Sequence, residues 1–180
     1  MKQYLIDVLY DRLTEEEAVE YFKESIFNMK NKKSEKLSLY MENEKKYIIF
    51  FEKLFYLNNG EAKVKLNHFS SYDIKEFFLS ERKYFIEILK KLSIEQIGLK
   101  EKINITNVKE LTAFIKLAYR DFYDTNKLRI YFDELEIVIR SSGDYTFTFY
   151  PKDKKILSII EDIAEKTNVF IMEVGLWNKK

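Results

Sequence analysis

The stretch Leu128–Phe149, LRIYFDELEIVIRSSGDYTFTF, decides the fold class. Leu128, Ile130 and Phe132 alternate with Arg129 and Tyr131. Leu135, Ile137 and Ile139 alternate after the polar pair Asp133-Glu134, and Tyr145, Phe147 and Phe149 do so after Ser141-Ser142-Gly143-Asp144. Period two places each apolar set on one side of a half-buried strand. Asp, Ser and Gly are turn formers, so three strands joined by short turns are expected: an antiparallel meander. Pro151 has no N–H to give a ladder and marks the exit.

Working outward, Asp153 to Thr167 carries Ile156, Ile159, Ile160 and Ile163 at helical spacing. Val169 to Val174 then reads as a closing strand that ends near Trp177. Upstream, Asn107 and Glu110 suit the start of a helix bearing Leu111, Phe114, Ile115, Ala118 and Phe122. Arg120 and Asp124 stand four apart, the spacing of a surface ion pair. Ser93 to Ile105 fits no single period, and Gly98 marks a break. Ser71, Asp73 and Glu76 predict another helix start, lined further on by Ile74, Phe77, Phe78, Phe85, Ile88, Leu89 and Leu92.

The first third is read the same way. Leu37, Leu39 and Met41 alternate and predict a strand, with Glu42 to Lys45 as a turn. Tyr47 to Leu57 is an apolar run read as a buried strand, with a helix as the alternative, because periodicity does not separate the two. Asn58-Asn59-Gly60 has hairpin chemistry and leads into a strand with Val64 and Leu66. Leu5, Ile6, Leu9 and Leu13 have helical spacing, and Thr14 with Glu17 forms a capping box ahead of Ala18, Val19, Phe22, Ile26 and Met29.

Helices that cluster between meanders, without βαβ alternation, predict an α+β fold of antiparallel β-meanders packed against helices. The expected organisation is one domain over 1–180. It comprises a helical segment 1–33, β-β-β-α over 36–92, a helical linker region 93–126 and β-β-β-α-β over 127–177. Lys36-Leu-Ser-Leu-Tyr40 echoes Lys127-Leu-Arg-Ile-Tyr131, which raises a β-β-β-α duplication around one sheet as a further expectation.

Composition removes several functions. The chain has no cysteine, which excludes disulfides and thiolate chemistry. Its formal net charge of +1 gives no global attraction for nucleic acid or anionic lipid. Glycine occurs four times, too sparsely to build a phosphate-cradling loop. The longest apolar run is far shorter than the roughly 20 residues that span a bilayer. Met1 to Leu13 mixes Asp7, Asp11 and Arg12 with its apolar residues, so no secretory signal is expected there and the expected location is the cytoplasm. The Lys-, Asn- and Ile-rich composition points to an AT-rich bacterial or phage genome.

His68 is the sole histidine, so a two-histidine metal site has no second ligand. Ser70, Ser71 and Asp73 lie beside it and supply the residue types of a triad, but spacing this tight on one loop rarely gives triad geometry. Adjacent acids such as Asp133-Glu134 and Glu161-Asp162 read as solvated. No catalytic residue, metal site or cofactor is therefore expected. Tyrosine occurs 13 times, and Tyr gives large contact area with a hydrogen-bonding tip. The leading expectation is a non-enzymatic protein-binding module of the immunity, inhibitor or regulator kind, with Tyr131, Tyr150 and Trp177 as contacts. Its partner is another protein rather than nucleic acid or a membrane. One alternative is a small-molecule or nucleotide pocket, or an enzyme, using His68, Asp73, Arg129 and Arg140. A nucleic-acid binder is the other.

Overall fold

The computed structural model describes residues 2–9, 16–17, 20, 36–67, 73–91, 102–120, 127–143 and 145–174. In chain order these give β1 (Tyr4–Asp7), α1 (Lys36–Leu57), β2 (Ala62–Leu66), a 3-10 turn (Asp73–Glu76) and α2 (Leu79–Lys91). β3 (Ile103–Ile105), α3 (Val108–Arg120), β4 (Leu128–Phe132), β5 (Ile137–Gly143), β6 (Thr146–Phe149), α4 (Lys154–Glu165) and β7 (Phe170–Glu173) follow. The strands form one antiparallel sheet in the order β3-β2-β4-β5-β6-β1-β7. The fold is α+β.

The meander forms as its alternation dictates. Leu128, Ile130, Phe132, Ile137, Ile139, Phe147 and Phe149 are all buried on one face. Gly143 and Tyr145 take positive φ at the β5–β6 turn, where β5 carries a bulge between Ser141 and Gly143. Asp153 caps α4 by accepting a hydrogen bond from Ile156 N–H at 2.9 Å. Asn107 Oδ1 does the same for α3, from Lys109 N–H at 2.9 Å.

The helices cover the face that carries these apolar side chains. α1 contacts both α3 and α4, and α3 lies against β3, β4 and β5. Tyr47 and Phe51 of α1 meet the Phe147 ring at 5.2 and 4.9 Å. The Tyr40, Tyr119 and Tyr145 rings cluster beside them at 4.8 to 5.1 Å. Two of these tyrosines reach backbone: Tyr40 OH donates to the Tyr119 carbonyl at 3.3 Å, and Tyr47 OH to that of Ile6 at 3.2 Å. Burial satisfied in this way lets tyrosine serve as core.

Several expectations are overturned. Residues 36–41 and 47–57 are not strands but a single helix of 22 residues. Its buried set is Tyr40, Asn43, Glu44, Tyr47, Phe50, Phe51, Leu54 and Phe55, a regular helical stripe. Asn43 and Glu44 belong to that stripe, and their polarity made 42–45 look like a turn. Asn59 and Gly60 do take positive φ, but they end α1 rather than close a hairpin. Gly60 N–H bonds back to the Phe55 carbonyl at 2.9 Å, the six-to-one bond of a Schellman cap.

Residues 4–7 form a strand, not a helix, because Tyr4, Ile6 and Val8 at period two face the core between β6 and β7. The helix expected from Ser71 begins only at Leu79, after the 3-10 turn, and Ser71 itself lies outside the described residues. β3 is a short edge strand inside the segment read as a helical linker. The duplication fails, since Lys36–Tyr40 is helical whereas its echo is mostly β4. The helix expected after Thr14 falls largely outside the described residues.

Asn58 ties the end of α1 to the β4–β5 turn. Its amide donates to the Glu61 carbonyl at 2.7 Å, and its Oδ1 accepts from Glu134 N–H at 2.9 Å and Leu135 N–H at 3.3 Å. Asn58→Ala leaves these buried groups unpaired and is expected to lower unfolding free energy by about 1–3 kcal/mol. Urea denaturation measures this, and an unchanged midpoint would show that the tie carries no stability.

Candidate functional site

The second face of the sheet holds the side chains that alternate with the core. No described helix covers it. One row of directly opposed residues crosses six strands: Lys65, Arg129, Arg140, Thr148, Leu5 and Met172. Opposed Cα atoms in an antiparallel ladder are about 4.5–5.5 Å apart, so three cations stand shoulder to shoulder. A parallel row places Asn104, Lys63, Tyr131 and Val138 beside it. Tyr150 follows β6, and its ring lies 5.9 Å from the Arg140 guanidinium. Lys102 Nζ sits 3.8 Å from the centre of the Tyr131 ring.

Lys63 is paired with Asp133. By contrast, no acid among the described residues pairs with Lys65, Arg129 or Arg140. The Nε atoms of Arg129 and Arg140 are both buried without a hydrogen-bond partner. Like charges opposed across a ladder cost about 0.2–1 kcal/mol, and an unmatched buried donor costs about 1–3 kcal/mol. The β4–β5 pairing holds this arrangement regardless. Where the face ends near the β4–β5 turn, Asn58, Lys63, Asn104, Tyr131 and Asp133 line a recess of about 380 Å³.

The structure thus brings together Arg129, Arg140, Tyr131 and Tyr150, which the sequence had divided between two hypotheses. His68 and Trp177 lie outside the described residues. Asp73 opens the 3-10 turn, in the connection between β2 and α2. Sequence reasoning missed Lys63, Lys65, Leu5 and Met172. The alternation in Ala62–Leu66 carried the signal for both lysines: Ala62, Val64 and Leu66 are buried, and the lysines fall between them. Tyr119 is 1% exposed and belongs to the core. Tyr145, Phe147 and Phe149 are likewise buried, so none is presented for base stacking.

A second polar cluster lies inside the molecule. Arg120 is no surface residue: its side chain is fully buried. It grips Glu44 of α1 through Nε at 2.5 Å and Nη2 at 2.7 Å. Its Nη1 donates to Glu81 of α2 at 2.8 Å, and Lys116 also binds Glu81. The guanidinium lies 5.1 Å from the centre of the Phe77 ring. Burial alone would lower the Arg120 pKa, but Glu44 and Glu81 outweigh it and hold the group above its ordinary value. Every charge here is answered from within, which marks a structural cluster. Among the described residues no group of three or more His, Asp or Glu is placed to hold a metal ion, and no helix is long and apolar enough to cross a membrane.

No protein-family model matches the chain, and neither a curated protein nor a solved structure matches it.

Glu81 makes the cluster visible to acid. Burial raises its carboxyl, but Arg120 and Lys116 overcome this and bring the pKa down to about 2, from an ordinary 4.5. A depressed folded-state pKa gives stability that is present above the unfolded value and lost as pH falls through the folded one. Stability should therefore decline between pH 4.5 and 2. Glu81→Gln should remove that part of the decline and, after discounting for solvent screening, cost on the order of 1–2 kcal/mol at neutral pH. Arg120→Met strands the buried Glu44 and should cost about 3–5 kcal/mol. Urea midpoints across pH 2–7 read both effects, and an identical pH profile for Glu81→Gln would refute the assignment.

Proposed function

We propose that this chain is a non-enzymatic protein-binding module that uses the sheet face opposite the core to hold an acidic partner. The supporting observation is the row Lys65–Arg129–Arg140, which no described acid neutralises and which runs into Thr148, Leu5 and Met172. A surface that is cationic at one end and apolar at the other matches a protein interface, where buried apolar area supplies affinity and charge supplies selection. Arg and Tyr are also the residue types most often found as binding hot spots. The near-neutral charge of the whole chain favours a local acidic patch over a uniform polyanion. An immunity, inhibitor or regulator protein of a bacterial or phage cytoplasm fits this description.

A second reading rests on Tyr131, whose ring is flanked by Lys102 and opposed to Lys63. An aromatic ring between cations is a stacking platform for a base of single-stranded nucleic acid.

Affinity capture from cells that carry the protein separates the two. Wild type should retain a stoichiometric acidic protein, and Tyr131→Ala with Arg140→Glu should lose it by tenfold or more. Retention that ignores both substitutions, or capture of oligonucleotide with a steep salt dependence, would overturn the proposal.

A further inference from the structure

We infer that Arg129 and Arg140 form the anchor of that face, a clamp for one carboxylate of an acidic segment of the partner, maintained at the expense of the free protein's own stability. The inference rests on reading the sheet face as a protein-binding surface, and it names the two residues that do the holding.

Three observations converge on this pair. The two arginines are opposed across β4 and β5, in the interior of the sheet and not at its edge. The ladder fixes their backbones, so their approach is set by the register and not by surface flexibility. Each also keeps its Nε buried and unmatched. A guanidinium offers five donors in a planar fork, and a carboxylate accepts two of them side by side. Two such groups on directly opposed residues can both donate to one anion. The neighbours complete the case. Lys65 opposes Arg129 on one flank and adds a third positive charge. Thr148 opposes Arg140 on the other flank. Leu5 and Met172 then continue the row with apolar surface, against which the stem of an acidic side chain and its neighbours can pack.

The rest of the fold sharpens the contrast. Arg120 is matched by Glu44 and Glu81. Lys63, Lys116 and Lys152 are each matched as well. A chain with 30 acidic residues places none of the described ones against Arg129 or Arg140. Residues that lower stability while gathering on one face are characteristic of binding sites, where activity and stability oppose each other.

The test compares the full chain with Arg129→Met, Arg140→Met and Arg140→Lys. The first two keep the length of the stem and remove the charge. Each should raise the melting temperature, by about 2–4 °C if the strain relieved is near the usual size of a single-site effect. Hexaglutamate peptide is the probe, followed through the amide resonances of residues 128–141. It should shift those of Arg129 and Arg140 in the wild type. Its affinity should drop at least tenfold in both methionine variants and less in Arg140→Lys, which keeps charge but loses the fork. Inorganic phosphate and oligothymidylate serve as the other arms. A lower melting temperature in both methionine variants would overturn the inference, as would unchanged peptide binding. Tighter binding of oligothymidylate than of hexaglutamate through the same two arginines would overturn the carboxylate and favour nucleic acid. Loss of peptide binding with the captured protein partner still retained would end the clamp alone and leave the protein-binding proposal standing.

Discussion

The arrangement of the helices depends on the Arg120 guanidinium. A cation with no exposure can persist only if its charge and its donors are answered within the protein. Glu44 answers from α1 and Glu81 from α2, while Arg120 itself ends α3. Three helices are therefore fixed to one another by a group whose partners cannot be exchanged for water. Aromatic packing then fills the space around it. Phe77 and Phe85 stack at 4.4 Å, and Phe85 meets Phe114 of α3 edge-on. The hydrophobic contacts supply most of the favourable free energy, but they are non-directional. The ion cluster supplies direction: it sets which turn of each helix faces which.

The sheet below is written twice by one alternating sequence. Odd and even positions along β2, β4 and β5 serve different purposes, and a shift of one residue would exchange them. The core side is closed by α1 and α3. The other side gathers cations, two tyrosines and a short apolar stretch. Because these side chains ride on paired strands, their spacing is as rigid as the ladder that carries them.

How much of this was legible in the sequence follows from the same physics. The segment Leu128–Glu173 could be read almost completely, because its strands are short, alternate cleanly and are separated by turn-forming residues. α3 was legible from Asn107 and its apolar stripe. α1 was not, since a buried Glu44 and Asn43 interrupt the apolar pattern, and their burial depends on Arg120 far along the chain. Local periodicity has no access to such a partner. β1 was misread for a related reason: Leu5 lies on the face opposite the core, so counting it with Ile6 and Leu9 imitated a helix. The candidate site was half legible. Arg129, Arg140, Tyr131 and Tyr150 were singled out one by one, but their sharing of one face with Lys65 depends on strand order, which no local pattern encodes.

The position of β1 has a bearing on how the protein is made. It lies between β6 and β7, pairing Tyr4 with both Phe149 and Glu173. Both neighbours are encoded about 140 or more residues later. At the usual pace of synthesis, about 5–20 residues per second, the finished strand waits on the order of ten seconds for either of them. Throughout that interval Tyr4, Ile6 and Val8 leave the ribosome with no sheet to join, and the nascent chain depends on whatever shelters apolar segments in the cell.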